Sequence, residues 1–421
     1  MFVNIMFINI MFLNIVMKNI IKRDKEDKKI NNAGDWIFIY GRRKTGKTFY
    51  VKNFMEWDEY FFVAKDSSII YKNENITFSE FFILFKSLIN EKTVVVDEFH
   101  RLPPIFLDYL HSIGTNGKLI LISSTLWLSQ KLLELKYPLI GLFYDVPFTI
   151  IDERDILTNL KIKDKTELIE AAVYLREPIL IQHYNSPMRE FLTKYLIDNK
   201  MSIQGLVGEI FREEDKHLTK VYDGIMHAVA SGKGISSEIS SYIFSRGLIK
   251  KDNPGLIQGY LKNLVFMGIL QKESVFNKKK FVYSHISPFM DLFFYADEKY
   301  GLSETQISER FISDIIDEKI PFHIEYFVKS LVSKIYGMVS VKIEEPEIDI
   351  TLISFNKIKV VGEVKWKKIT MGDVKRIEEK LSKFNAEKLL IVKDKRGLKS
   401  DVLKIFEIKD LLNIQLQKKN I

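Results

Sequence analysis

Residues 36–48 read "WIFIYGRRKTGKT", five apolar or aromatic residues followed by a basic loop framed by glycines. A short apolar run bounded by a turn signal predicts a buried strand over Trp36–Tyr40. Gly41-Arg42-Arg43-Lys44-Thr45-Gly46-Lys47-Thr48 then satisfies G-x-x-x-x-G-K-[ST], and the residues after it have helical character. Strand, loop and helix in that order form the context in which this pattern binds a nucleoside triphosphate. The glycines let the backbone curl so that its N–H groups face phosphate oxygens. Lys47 reaches the β- and γ-phosphates, and the Thr48 hydroxyl ligates Mg2+. The expected cofactors are therefore ATP and Mg2+.

A second strand is expected at Thr93–Val96, within "KTVVVDEFHRLP". A buried run that stops on Asp97-Glu98 is costly unless a cation or water sits at its end. Asp97 is expected to hold Mg2+ through its water shell and Glu98 to polarise the attacking water as general base. A helix-capping role for Asp97 is the alternative. A third strand, "KLILISST" at 118–125, ends in hydroxyls. Ser124 is the candidate γ-phosphate sensor, although serine also serves in ordinary turns. Three such strands alternating with helical segments give a parallel α/β sheet, with the ligand at the strand carboxyl ends.

"YGRRKTGKT", "VVVDEF" and "LILISSTLWL" together resemble the archaeal ATPase family, a branch of the P-loop NTPases near the AAA+ and STAND groups. Arg42, Arg43, Asp97, Glu98 and Phe99 match its usual arginine pair and DEF-type carboxylates. The family's Ser-Pro-Leu-x-Gly-Arg stretch here reads Tyr137-Pro-Leu-Ile-Gly141-Leu142, without the arginine. The resemblance thus implies ATP hydrolysis with altered turnover or control.

Farther on, residues 219–290 hold three helix-sized segments and a hairpin. Asn253 followed by Pro254 is an N-terminal signature, and Leu256, Tyr260, Leu261, Leu264 and Val265 follow at helical spacing. Helix, helix, helix and hairpin predict a winged helix-turn-helix. It would present Gln258, Lys262 and Asn263 outward, with Lys278–Lys280 as the wing, side chains suited to bases and phosphates. A solvated lysine turn on a protein-contact module is the alternative. The archaeal ATPase family carries a similar module at this place.

Near the C-terminus, "EPEIDITLI" and "VVGEVKWKK" place Asp349 and Glu363 on two strands joined by "SFNK". Adjacent antiparallel strands would set these carboxylates side by side, where they repel unless a divalent cation binds between them. Lys365 shares the face of Glu363 and could offset charge on an attacked phosphate. Glu325 lies upstream on a helix read as opening at Pro321, among Phe322, Val328 and Val332. Helix-Glu, strand-Asp and strand Glu-x-Lys resemble the PD-(D/E)xK nucleases and the DUF234 (DEXX-box) region attached to archaeal ATPases, down to Trp366. The resemblance implies catalytic roles for Glu325, Asp349, Glu363 and Lys365, with Asp349 and Glu363 on the metal. A surface ion-pair pattern is the plainer alternative.

Charge supports a polyanionic partner for this end. From Asn356 onward there are 18 Lys and Arg against nine Asp and Glu, a surplus of +9 in a chain of net charge +8. A basic surface of this kind is the footprint of a phosphate-backbone binder, or a lysine-rich solvated face. The complete lack of cysteine excludes disulfides and thiolate metal sites and fits a cytoplasmic setting. Seven scattered histidines without HExxH argue against zinc. The opening "MFVNIMFINIMFLNIVMKNI" lacks a basic lead and carries three interrupting Asn, so neither a signal peptide nor a spanning helix is expected. A start assigned too early, with Met17 as initiator, is the reading preferred over a membrane-surface anchor.

The expected organisation is an atypical segment 1–20, a P-loop ATPase core 21–205, a winged helix 206–300 and a restriction-endonuclease-like α/β domain 301–421. The expected function is a Mg2+-dependent ATPase acting on DNA, with a nuclease-like domain. Self-assembly is left open and membrane association is not expected. The rival is a nucleotide-dependent switch whose C-terminal domain only holds DNA or protein.

Overall fold

Alternation along the strand Trp36–Tyr40 (β1) decides the first layer. Trp36 and Phe38 enter one apolar cluster with Phe61, Phe81, Phe85, Val94 and Phe106. Ile37 and Ile39 enter another, on the opposite face, with Tyr50, Val95, Ile120 and Phe148. A strand buried on both faces is the mark of a sheet covered by helices on each side. The computed structural model describes residues 20–126, 141–214 and 217–418, so the opening segment and residues 137–140 lie outside the described residues.

The following strands are Glu59–Val63 (β2), Ile69–Tyr71 (β3), Glu74–Ile76 (β4), Thr93–Asp97 (β5), Lys118–Ser123 (β6) and Tyr144–Pro147 (β7). They form a sheet of order β4-β3-β2-β5-β6-β1-β7. The five strands from β2 to β7 in that order are parallel, and β3 and β4 add an antiparallel edge. β6 therefore lies between β1 and β5, and the carboxyl ends of all three open on one side. The α/β parallel-sheet core expected from the sequence is present.

By its contacts the chain divides into two compact units. One holds Lys25–Ile150 with Thr193–Ile315; the other holds Ile151–Leu192 with the residues from Ile316 onward. The helices Glu153–Asn159, Lys165–Tyr174 and Pro178–Ile181, inside the expected 21–205 core, thus gather with the C-terminal residues.

The first unit also contains the helices Lys220–Ala230, Ser236–Ser245 and Pro254–Phe266, then an antiparallel pair Leu270–Ser274 (β8) and Phe281–His285 (β9). Asn253 caps the third helix, its side chain accepting from Gly255 N at 2.8 Å. Leu261 and Leu264 of the expected stripe face inward, whereas Leu256 is exposed and its neighbour Ile257 is buried in its place. Gln258 and Lys262 are exposed, but Asn263 turns inward, donating to the Tyr222 hydroxyl at 2.6 Å.

The second unit carries Val339–Ser340 (β10), Ile350–Ser354 (β11), Lys357–Lys365 (β12), Glu387–Val392 (β13) and Lys404–Glu407 (β14), in that spatial order. β10 to β12 are antiparallel and β12 to β14 parallel, with helix Met371–Ser382 between β12 and β13. Pro321 does not open a helix. It lies inside one running Glu309–Tyr336. An interior proline costs about 3 kcal/mol. The buried Ile312, Ile315, Ile316, Ile320 and Ile324 on either side return about 1.5–3 kcal/mol each, so burial wins.

Candidate nucleotide site and carboxylate–lysine site

The loop after β1 is shaped by close approach. A Cβ on Gly41 would stand 1.9 Å from the Phe148 carbonyl oxygen, so no other residue fits. Lys44 (φ 64°) and Gly46 (φ 89°) both take left-handed backbone, which curls the loop onto helix Lys47–Phe54. Thr45 Oγ1 donates to Arg42 O at 2.8 Å, and Arg42 is buried. Lys47 Nζ donates to Gly41 O at 2.8 Å and Arg42 O at 3.0 Å. Burial pulls the Lys47 ammonium down to about 8, against the opposing charges of Glu98 and Asp97. Arg43 pairs with Glu209 at 2.9 Å. A cavity of about 380 Å³ opens over this loop, with Lys44, Lys47, Thr48, Glu98, Arg101 and Ser124 on its walls.

The two carboxylates at the end of β5 are held differently. Asp97 is fully buried. Its Oδ2 accepts from Thr48 Oγ1 at 2.7 Å and from the Tyr60 hydroxyl at 2.5 Å. Its Oδ1 is buried with no hydrogen-bond partner among the described residues. Burial lifts the Asp97 carboxyl above its usual range, although Tyr60, Thr48 and Lys47 pull it down. Glu98 adopts φ 58° and accepts at Oε2 from Ser124 Oγ (2.8 Å) and Ser124 N (3.2 Å), with His100 Nδ1 at 3.4 Å.

Orphaned buried oxygens are rare and costly. One on Asp97, beside the Thr48 hydroxyl, suits a hydrated divalent cation. Thr48 and Asp97 would hold Mg2+, with Lys47 and the loop N–H groups on the nucleotide. When bound, Mg2+ supplies charge neutralisation on the phosphates. Ser124 donates to Glu98 through both its hydroxyl and its backbone N–H at the wall of this cavity, so a carboxylate acceptor and a hydroxyl donor are both positioned there.

In the C-terminal unit, β11 and β12 pair with Ile350 opposite Gly362, which sets Asp349 beside Glu363 as expected. Lys365 Nζ bridges them, at 3.1 Å from Asp349 Oδ2 and 2.7 Å from Glu363 Oε2. Asp349 Oδ2 also accepts from Val364 N at 2.9 Å, and Glu363 Oε1 from Lys380 Nζ at 2.6 Å. Burial, then the Asp349 charge, raises the Glu325 carboxyl to about 7, offset in part by Lys329, Lys342 and Lys365. Val328 and Val332 beside it are buried, whereas Phe322 is exposed. Asp349, Glu363 and Lys365 meet in direct contact, and Glu325 stands near enough to feel the charges of Asp349 and Lys365. The fit to a metal is poorer than at Asp97: no oxygen of Asp349 or Glu363 is both buried and without a partner, and both Glu363 oxygens already accept from ammonium groups. A cation bound to Glu363 must displace an ammonium.

Tyr60, His100, Arg101 and Lys380 join these sites without having been expected. His100 and Arg101 follow the two carboxylates after a single Phe99 in "DEFHRLP", a signal that was legible. Tyr60 reaches Asp97 from another strand, and Lys380 reaches Glu363 from a helix 17 residues on, so nothing local marks either.

No known protein-family profile matches the chain. It is 25% identical to an uncharacterized Methanocaldococcus jannaschii protein, MJECL04, over 84% of this chain and 89% of that one. Among solved structures it is similar to the Aeropyrum pernix ORC1 protein in complex with DNA (13% identity, TM-score 0.31), over 67% of this chain and 94% of that chain. The Aeropyrum pernix ORC2 protein in its ADP form is comparable (13% identity, TM-score 0.30; 72% and 93%). Superpositions this loose carry no functional weight. Among the described residues no helix is long and apolar enough to cross a membrane.

Proposed function

We propose that the chain is a Mg2+-dependent ATPase acting on DNA, built as a P-loop core (21–205), a winged helix (206–300) and a restriction-endonuclease-like domain (301–421). The observation that carries the reading is the meeting of five residues from three segments, Lys47, Thr48, Asp97, Glu98 and Ser124, at the carboxyl ends of β1, β5 and β6. The orphaned Asp97 oxygen supports a cation there. The three helices and hairpin of residues 220–285 support the winged helix, with Lys278–Lys280 at its tip for DNA phosphates.

In this reading Lys47 leaves its two loop carbonyls to meet the phosphates, and Glu98 takes a proton from the attacking water after releasing Ser124. ATP would be converted to ADP and phosphate. The Glu363–Lys365 pair would serve phosphodiester hydrolysis. A nucleotide-dependent switch with an inactive nuclease-like domain is favoured by one observation: both Glu363 oxygens are occupied by ammoniums.

The test uses purified protein with ATP, plasmid and linear DNA, and Mg2+ or Mn2+. Lys47→Ala should abolish phosphate release, and Lys365→Ala should abolish nicking while DNA stays bound. ATP turnover unchanged in Lys47→Ala overturns the ATPase reading. DNA binding without cleavage under either metal leaves the switch.

A further inference from the structure

Beside Glu363 and Lys365 lies a cavity of about 650 Å³, within the range that holds small ligands. Lys365, Lys367, Arg376 and Lys380 line it, against Glu363 and Asp373. Lys365 and Lys380 are committed to Glu363. Lys367 is exposed. Arg376 is held by an exposed pair to Asp373 at 3.8 Å, a contact of little strength. Buried Ile369 and Ile377 supply an apolar floor. An apolar floor with a cationic rim is the composition of a nucleotide pocket, which must hold a flat ring and a phosphate together.

Trp366 supplies the flat surface. Its indole N–H donates to Glu170 Oε1 at 3.1 Å. Glu170 is buried, and Arg189 clamps it through Nε at 2.8 Å and Nη2 at 2.6 Å. With Arg189 half-exposed the ion pair contributes little net stability, yet it holds the carboxylate that anchors a partly exposed ring at a cavity wall. Lys393 Nζ stands 5.4 Å from the ring centroid. Bases of a duplex are already stacked on one another, so a fixed indole in a pocket is open to an unpaired base.

We propose that this cavity takes one unpaired nucleotide of a DNA strand, its base stacked on Trp366 and its phosphate between Lys367 and Arg376. The proposal rests on the reading of the C-terminal unit as DNA-acting and makes single-stranded DNA, including frayed ends, its substrate class.

The test is fluorescence anisotropy of full-length protein with labelled dT12 and with a blunt duplex of equal length, in EDTA so that no cleavage intervenes. Trp366→Ala should weaken dT12 binding by about 5- to 150-fold, the range for one stacked base, and leave duplex binding within twofold. Trp366→Phe, which keeps a stacking face without the Glu170 bond, should stay within about threefold of wild type. Arg376→Ala should lower the salt slope for dT12 by about one phosphate contact. It also decides the matter if the alanine variant fails to fold. Equal losses on both DNAs, or no loss on dT12, overturn the proposal while the nuclease reading stands. Trp366-dependent dT12 binding with no cleavage in Mg2+ or Mn2+ removes the nuclease reading and supports the pocket. Wild-type protein that binds no dT12 overturns the pocket.

Discussion

Replacing Tyr60 by Phe removes one hydroxyl and keeps the ring, which packs at 5.3 Å from Trp57 and beneath Lys52 Nζ at 4.4 Å. That hydroxyl donates at 2.5 Å to Asp97 Oδ2, and Thr48 is the other donor to the same oxygen. If Mg2+ draws the Thr48 hydroxyl to itself, Tyr60 becomes the donor that still fixes the carboxylate. A hydrogen bond to a charged acceptor contributes about 1.5–3 kcal/mol, and partners that orient a metal ligand change affinity by about 10- to 100-fold. The Mg2+ concentration for half-saturation of ATP binding should therefore rise about tenfold or more in Tyr60→Phe. The assay is a Mg2+ titration of a fluorescent ATP analogue, with Lys47→Ala as the variant that loses the nucleotide itself. A half-saturation within twofold of wild type would refute the idea that Tyr60 positions Asp97.

Two further outcomes follow from charges away from both sites. Glu153, fully buried, pairs with Arg176 at 2.7 Å and with Lys334, which also meets Asp152 at 2.7 Å. Glu153→Gln leaves two cations facing a neutral amide, and breaking a buried pair this way costs about 3–5 kcal/mol. The partial exposure of Lys334 points to the lower end, and a denaturant midpoint unchanged from wild type would contradict it. His227 is lowered by burial but raised more by Asp297, at 3.0 Å, and by Asp223, so its imidazolium is held above the ordinary 6.5. A raised folded-state value means the contribution is whole below pH 6.5 and disappears as pH rises through the folded value. Thermal melts should show wild type losing its advantage over His227→Gln across that window, and parallel curves would exclude the pair as a stabiliser.

What could be read in advance was what is local in sequence. Trp36–Tyr40 is a strand with the limits its apolar run suggests, because burial on two faces needs only the run itself. The Asn253 cap and the Asp349–Glu363 pairing follow from one dipeptide and one short turn. Errors begin where a distant segment decides. Asn263 has the chemistry of a base-reading side chain, but Tyr222, 41 residues earlier, takes its amide. Pro321 reads as a helix start until the flanking isoleucines are known to be buried. Tyr60 is the sharpest case. On β2 it alternates with buried Glu59 and Phe61 neighbours in a run, "EYFFV", whose aromatic residues read as plain core. Only the pairing of β2 with β5, Tyr60 opposite Val95 and Phe62 opposite Asp97, brings a phenol to the carboxylate. A motif search finds the atoms that would touch phosphate. The donors that aim those atoms come from whichever strand the sheet sets alongside, and that is a property of topology before it is one of sequence.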